Sequence, residues 1–231
     1  MGCAVRHHVY GCCDLDSEEV VKTILLDCDG VVLNCAAAVH QFAQRMLARK
    51  LNPPESWKSY DFREAMELTK SEWEFIVKML ERKDKIGHLI GYYPQAQSFI
   101  EHLGFDNKVV FATTPWRGLN HWVEARYGLL DHFLNRRNYS IVFTSEKHLI
   151  QGDWLIDDKF DNMDKTPERG ILFSRPWNLK FENFAAYVAR NYADVLAIVE
   201  PQVDAVSTIE QIKPHVQKVA ARKETKVKKR L

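Results

Sequence analysis

Cysteine is scarce in this sequence, and its five copies have no even or regular spacing. A disulfide framework is therefore not predicted. No apolar run approaches the roughly 20 residues that a membrane-spanning helix needs, and no segment near the N-terminus resembles a signal peptide. We expect a cytoplasmic protein that does not associate with membranes.

Net charge is also small, at +1 over 231 residues, but it is unevenly distributed. Residues 213–231 contain eight basic side chains and one acidic side chain, so this segment carries +7 and the remainder −6. Such a tail can contact nucleic acid through phosphates, although a solvated terminus is the more common explanation. With 46% hydrophobic residues, the rest of the chain can bury one substantial core.

A short apolar segment that begins at Thr23 ends in two carboxylates, Asp27 and Asp29, followed by Gly30. The pattern predicts a buried strand that carries both acids at its C-terminal end. Side chains alternate along a strand, so the two carboxylates can point the same way, and a divalent cation would offset their repulsion. A strand that simply ends in an Asp-rich turn would explain this pattern equally well.

Further strands are predicted after residue 100, and helical patterns separate them. Their ranges are 108–112, 140–143, 154–156 and 170–173. Strands that alternate with helices favour a doubly wound α/β domain, with a parallel sheet covered on both faces. Residues 179–212 either add helices to the sheet or pack against a neighbour, and the apolar residues of 181–188 fall at helical spacing.

Residues 35–93 contain helical patterns and no strand candidate. A helix is predicted from Ala36 to Leu51, and a second begins at about Glu72, after a capping box that starts at Ser71. We therefore expect a helical cap inserted directly after the first strand. The predicted organisation is a loose leader at 1–20, a core at 21–34 and 94–200, the cap at 35–93, and a basic tail at 201–231.

The predicted strands all end in polar side chains. The second strand is followed by Thr113 and Thr114, a lysine at position 147 follows the third, and the fourth ends in Asp157 and Asp158. In a doubly wound sheet these groups converge on one crevice with the two acids of the first strand. Acids, a lysine and threonines gathered in one crevice are suited to phosphoryl transfer.

These residues resemble, in chain order, the four motifs of the haloacid dehalogenase-like (HAD) phosphatases. The matching segments are Asp27-Cys28-Asp29-Gly30, Thr113, Lys147 and Gly152–Asp158. Within that superfamily the chain is similar to the 5'(3')-deoxyribonucleotidases. The narrower resemblance lies in Thr113-Thr114-Pro115, in the step from Lys147 to Asp157, and in Ser174–Asn178.

The resemblance implies a role for each motif residue. Asp27 would attack phosphorus as the nucleophile, and Asp29 would act as general acid and then general base. Thr113 and Lys147 would bind the phosphoryl oxygens.

The resemblance also implies a magnesium cofactor. Its ligands would be a carboxylate oxygen of Asp27, the backbone carbonyl of Asp29, and Asp158. Asp157 would lie behind the metal and orient waters and Lys147.

Substrate contacts are expected from the cap and from strand ends. Phe62, Tyr60 and Trp73 are candidates to stack on a nucleobase, with Thr114 and Arg175 as further substrate-binding candidates. Core packing is the stronger explanation for each of the three aromatic residues, especially for Trp73 on its apolar helix face. Arg175 could instead hold its loop by a local hydrogen bond.

The predicted function is magnesium-dependent hydrolysis of (deoxy)ribonucleoside monophosphates through an aspartyl-phosphate. The partner would be a small nucleotide substrate, with nucleic acid a less favoured partner of the basic tail and a homodimer possible. Alternatives are a HAD phosphatase of another small phosphometabolite, a phosphatase of polynucleotide 3'-ends, and a HAD-fold binding protein without catalysis. The last would require a missing catalytic group, and none is missing.

Overall fold

A computed structural model describes residues 21–83, 86–116, 118–119 and 121–200. Its centre is a parallel sheet of six strands within this described part, in the order β3-β2-β1-β4-β5-β6. The bounds are β1 Thr23–Leu26, β2 Lys108–Thr113, β3 Tyr139–Phe143, β4 Trp154–Asp157, β5 Gly170–Phe173 and β6 Tyr187–Ala189. The predicted doubly wound α/β fold is confirmed.

Both faces of the sheet are buried, which explains why its strands are apolar without interruption. Along β1, Ile24 and Leu26 join a large hydrophobic cluster on one face, whereas Leu25 joins a smaller cluster on the other. The same alternation separates Ile156 of β4 from Leu155. Because β1 lies between β2 and β4, the acids that follow it emerge at the centre of the sheet.

Eight α-helices connect and cover the described strands. They are α1 Cys35–Leu47, α2 Phe62–Ala65, α3 Lys70–Lys83, α4 Ile86–Leu89, α5 Ala96–Asp106, α6 Trp122–Leu134, α7 Phe160–Lys165 and α8 Tyr192–Val199. Short 3₁₀ turns occur at Pro54–Ser56, Lys147–Leu149 and Leu179–Phe184. The large cluster runs from β1 into α1 and α3, so the helices of residues 35–93 share the core of the sheet.

Two helix boundaries differ from the predicted ones. Helix α1 ends at Leu47 because Ala48 adopts a left-handed conformation (φ 51°). Helix α3 begins at Lys70, since the capping box is formed by Thr69 and Glu72 and not by Ser71. The Glu72 amide donates to the Thr69 hydroxyl at 3.2 Å, and the Thr69 amide donates to the Glu72 carboxylate at 2.9 Å.

The helical spacing of residues 181–188 does not correspond to an α-helix, although α8 follows within the same region. This segment forms the end of a 3₁₀ turn and then β6, whose Tyr187 and Ala189 pair with Ile171 and Phe173 of β5. The apolar spacing reflects packing of single side chains against the sheet. Backbone pairing along the edge of β5 is a tertiary interaction that local periodicity does not reveal.

The predicted leader at 1–20 and basic tail at 201–231 lie outside the described residues. No helix among the described residues is long and apolar enough to cross a bilayer.

Candidate active site

The turn after β1 places its two acids at the C-terminal end of the parallel sheet. The Asp27 amide continues the pairing with β4 by donating to the Ile156 carbonyl at 2.9 Å. Gly30 then turns the chain with φ +81°, in the region that glycine adopts without steric cost. A Cβ atom at Gly30 would lie 2.1 Å from Oδ2 of Asp158, so this turn and the end of β4 are in tight contact.

Lys147 connects the ends of β1 and β4. Its Nζ lies 2.6 Å from Oδ1 of Asp27 and 2.7 Å from Oδ2 of Asp157, and all three side chains are buried. Burial alone would lower the pKa of Lys147, but the carboxylates of Asp157 and Asp27 outweigh it and hold the pKa above its usual range. The lysine therefore carries a permanent positive charge beside Asp27.

The two consecutive acids at the end of β4 have different surroundings. Asp157 accepts from Lys147 Nζ, from the Asn162 side-chain amide at 2.8 Å and from the Lys159 backbone amide at 2.8 Å. Asp158 accepts only one bond of this kind in the described structure, from the Trp177 indole to Oδ2 at 2.8 Å. Its Oδ1 is buried and has no hydrogen-bond partner there.

This arrangement fits a divalent cation. Oxygen atoms of Asp27, Asp157 and Asp158 lie within 4.8 Å of one another, and hard cations prefer carboxylate oxygens. Burial, and then the Asp157 charge, raise the pKa of Asp27 well above its usual range, against the opposing effect of Lys147. Burial and Asp157 likewise raise the pKa of Asp158 to about 7. The unpartnered Oδ1 makes Asp158 a better metal ligand than the fully hydrogen-bonded Asp157.

The two threonines at the end of β2 differ in their hydrogen bonding. Thr113 is fully buried, yet its hydroxyl has no partner in the described structure. The Thr114 hydroxyl donates to the Thr144 carbonyl at 3.0 Å. Thr114 also lines a cavity at the C-terminal end of the sheet. A buried hydroxyl without a hydrogen-bond partner lowers the stability of the fold. The Thr113 hydroxyl is therefore available to bind an oxygen of a ligand.

Asp29 is paired with Arg126 of α6, which was not predicted as a site residue. Nη2 of Arg126 lies 2.6 Å from Oδ1 of Asp29, and Nε lies 3.3 Å from Oδ2. Burial alone would lower the pKa of Arg126, but the Asp29 carboxylate outweighs it and raises the pKa. A sequence signal existed, because Trp122, Arg126 and Leu130 share one helix face and arginine interrupts that apolar stripe.

A cavity of about 220 Å³ opens above these groups. Asp29, Asp158 and Thr114 contribute polar atoms to its lining, and the rest of the wall is largely aromatic. The aromatic lining consists of Trp57, Tyr60, Phe62, Trp116, Trp122 and Trp177. Asp29 and Asp158 thus lie beside a surface suited to a flat, apolar group, whereas Asp27, Thr113 and Lys147 are not part of the cavity lining.

The predicted base-stacking residues are not equivalent. Phe62 and Tyr60 line the cavity, and Tyr60 is 51% exposed. Trp73 is not part of the cavity lining; it stacks against Trp116 and packs against Phe62, with ring centroids 6.0 and 6.2 Å apart. Trp57 lies in the wall, but its position after a Pro-Pro loop gave no signal that it would face the site.

Arg175 lies behind the turn after β1. It donates from Nε to the Gly30 carbonyl and from Nη2 to the Val31 carbonyl at 3.2 Å, and its guanidinium stacks on Tyr93 at 3.9 Å. These contacts hold the turn that carries Asp29. Arg175 is not part of the cavity lining, and its contact with substrate stays a prediction.

The parallel sheet, with acids, lysine and threonine at adjacent strand ends, defines a protein of the HAD phosphatase fold. A haloacid dehalogenase-like hydrolase from Streptococcus pneumoniae superposes with a TM-score of 0.52 at 15% identity, over 78% of this chain and 99% of that one. A "predicted phosphatase" from Clostridium acetobutylicum superposes with a TM-score of 0.52 at 14% identity, over 78% and 98%. At such identities the likeness concerns the fold alone.

The family is given by a sequence-family model. The model of the 5' nucleotidase, deoxy (pyrimidine), cytosolic type C proteins matches residues 20–206, well over half of the chain. The chain therefore belongs to this family of HAD phosphatases, as its motifs predicted. A search of curated proteins found no match.

Proposed function

We propose that this protein removes phosphate from nucleoside monophosphates, preferably deoxyribonucleotides, with magnesium as cofactor. The observation that carries the proposal is that Asp158 belongs both to the buried cluster with Asp27 and Asp157, which Lys147 bridges, and to the lining of an aromatic-walled cavity. The phosphate would bind at the C-terminal ends of the strands, and the base would contact the aromatic wall of the cavity, which includes Phe62.

In the first step, a carboxylate oxygen of Asp27 attacks phosphorus while the bond from phosphorus to the sugar oxygen breaks. Asp29 donates its proton to that oxygen, and the nucleoside leaves. Lys147 and Thr113 bind the phosphoryl oxygens; the lysine supplies charge, and the unpaired threonine hydroxyl supplies a hydrogen bond.

In the second step, a water molecule attacks phosphorus of the aspartyl-phosphate, and Asp29 takes the proton of that water. The bond between phosphorus and Asp27 breaks, which releases inorganic phosphate and restores the carboxylate. Two easier displacements thus replace one difficult hydrolysis.

Magnesium would be held by a carboxylate oxygen of Asp27, the backbone carbonyl of Asp29, and Asp158. It would supply positive charge that keeps Asp27 ionised and neutralises the phosphoryl oxygens. Asp157, whose oxygens already accept from Lys147, Asn162 and Lys159, would hold the lysine in place.

The test is phosphate release with magnesium from deoxy- and ribonucleoside 5'- and 3'-monophosphates, sugar phosphates and a 3'-phosphorylated oligonucleotide. We expect the highest kcat/KM on deoxyribonucleoside monophosphates, and loss of turnover in Asp27→Asn without a change in circular dichroism. Preference for sugar phosphates or for the oligonucleotide would overturn the proposed substrate class. Turnover retained by Asp27→Asn would overturn the covalent mechanism.

A further inference from the structure

Arg126 is a charged residue inside the hydrophobic core of the protein. Its side chain has no exposed surface, and it extends from α6 toward the end of β1. A guanidinium in such a place is costly unless it is paired, because burial removes its hydration. Asp29 provides the pairing through two contacts, at 2.6 and 3.3 Å.

The surroundings of Arg126 separate it from the cavity. The Trp122 ring, which lines the cavity, lies 3.7 Å from the guanidinium carbon. Arg126 is not part of the cavity lining. Cys35, which also lines the cavity, forms a side-chain hydrogen bond with Arg126. Arg126 would therefore affect a substrate in the cavity indirectly, through Asp29, Trp122 and Cys35.

Stability alone does not account for an arginine at this position. The neighbouring apolar side chains of α6, including Leu130 and Phe133, are fully buried, so an apolar residue at 126 would continue the same core. Replacing buried ion pairs by apolar groups is often neutral or stabilising. The geometry of the pair also requires a guanidinium, because two adjacent nitrogen donors face the two carboxylate oxygens of Asp29.

We propose that Arg126 is the positioning residue that fixes the carboxyl group of Asp29 toward the leaving-group oxygen. This inference rests on the proposed phosphatase mechanism, in which Asp29 transfers a proton to and from that oxygen and water. Asp29 is about one-fifth exposed, and its two oxygens are held unequally, with Oδ1 at 2.6 Å from Nη2 and Oδ2 at 3.3 Å from Nε. The more weakly held Oδ2 is the oxygen that can carry the transferred proton while Oδ1 stays bound to Arg126. Fixing the side-chain rotamer of Asp29 lowers the entropy cost of bringing its carboxyl group into line with the leaving-group oxygen, and such orientation is a large part of enzyme catalysis.

The test uses two classes of substrate. A nucleoside monophosphate has a sugar oxygen as leaving group and needs a proton on it, whereas p-nitrophenyl phosphate has a stable leaving anion. We expect Arg126→Met to lower the rate of nucleoside release in the first turnover about 30-fold, with little change in KM. This is less than the roughly 100- to 10,000-fold that general acid catalysis contributes as a whole, because Asp29 is still present in the variant. On p-nitrophenyl phosphate, release of nitrophenolate in the first turnover should slow less than about threefold, because this leaving group needs no proton. The comparison is confined to the first turnover, since the later attack of water uses Asp29 as general base with both substrates.

A second background isolates the path through Asp29. In Asp29→Asn, which already lacks the transferable proton, adding Arg126→Met should change kcat by less than about twofold, since residues that act as a unit are not additive. Arg126→Lys keeps the charge but lacks the paired donors, so it should fold normally and lose about tenfold on the nucleotide. Melting temperatures of all variants are measured alongside.

Two results would overturn the inference. Equal losses on both substrates in the first turnover would indicate a structural role, and a further large loss in the Asp29→Asn background would exclude action through Asp29. If the wild-type enzyme prefers a sugar phosphate, the proposed substrate class fails, but the same comparison is made on that sugar phosphate because its leaving group is also an alkoxide. A wild-type chain inactive on every phosphomonoester would overturn the mechanism and this inference together.

Discussion

Thr113 combines complete burial with a hydroxyl that has no partner in the described structure. Such a group lowers stability, because it loses its bonds to water without replacing them. The hydroxyl lies at the end of β2, next to the strand that leads to Asp29, and it can form a hydrogen bond only when a ligand oxygen is present. The Thr113 hydroxyl oxygen should therefore lower the stability of the protein while supporting its activity.

Thr113→Val tests this opposition. Valine keeps the shape and removes the unpaired hydroxyl, so we expect the free energy of unfolding to stay unchanged or rise by about 1 kcal/mol. The kcat for phosphate release should fall about 100-fold, as for loss of one donor to a developing oxyanion. Thermal melting and steady-state kinetics measure both effects.

Thr166→Val is the matched control, since its buried hydroxyl is paired with the Asn162 carbonyl at 2.9 Å. This variant should lose about 1 kcal/mol of stability and retain kcat within about twofold. If both variants lose stability equally and Thr113→Val keeps its kcat, then Thr113 has no function in binding phosphoryl oxygens.

At the scale of elements, the turn after β1 is in close contact with the residue that follows β4. Gly30 adopts φ +81° and leaves no room for a side chain, because Oδ2 of Asp158 occupies the place of its Cβ. Arg175 holds the same turn from behind through the Gly30 and Val31 carbonyls. The position of the Asp158 carboxylate is thus set by its packing against the backbone of the Gly30 turn.

Gly30→Ala should therefore damage the site. The left-handed conformation costs an L-residue about 1–2 kcal/mol, and the added methyl must displace Asp158. We expect magnesium affinity to fall at least about tenfold, as when a group that orients a ligand is lost. Isothermal titration with magnesium and thermal melting measure the two effects.

Gly128→Ala provides the contrast. Gly128 lies in α6 with open space where a Cβ would be, so alanine should stabilise the helix by about 0.5–1 kcal/mol and leave magnesium affinity unchanged. Normal magnesium affinity in Gly30→Ala would show that the contact with Asp158 is not needed for the metal site.

At the scale of the whole molecule, the site concentrates negative charge in the core. Asp27, Asp157 and Asp158 are buried, Asp29 is partly buried, and the buried cations beside them are Lys147 and Arg126. Two cations offset two of the four carboxylate charges. One divalent ion would offset the remainder, so magnesium should stabilise the fold as well as support the reaction.

Magnesium should accordingly raise the melting temperature more at pH 8 than at pH 5. The pKa of Asp158 is about 7 in the folded protein against an ordinary 3.8, so protonation of this carboxyl stabilises the fold at low pH. That contribution is lost as pH rises through about 7, and magnesium then replaces the proton. At a hundredfold excess over its Kd, magnesium should contribute about 2.7 kcal/mol, or roughly 5–10 °C at pH 8.

Differential scanning fluorimetry with magnesium, and with sodium chloride at equal ionic strength, measures the effect. Asp158→Asn is the control, because it removes both the proton and the ligand charge and should abolish the difference between the two pH values. An equal rise at both pH values, or the same rise with sodium, would contradict a magnesium site at these carboxylates.

The sequence by itself determined strands β1 to β5 and the strand-end positions of the predicted catalytic groups. Strands β1 to β5 could be read from short apolar runs, because both faces of a parallel sheet are buried and each run ends where polar side chains begin. Asp27, Asp29, Thr113, Lys147 and the Asp157-Asp158 pair follow from their positions at strand ends, since strand direction alone brings those ends together.

Only the tertiary structure decided which polar atoms remain without partners. Asp157 and Asp158 are adjacent and identical in sequence, yet Lys147, Asn162 and the Lys159 amide bond the first, and Trp177 bonds the second. Strand β6 and the Asp29–Arg126 pair likewise depend on partners distant in the chain, 16 residues from Ile171 to Tyr187 and 97 from Asp29 to Arg126. Local patterns carry no record of such partners, because hydrogen bonds and burial are properties of the packed chain.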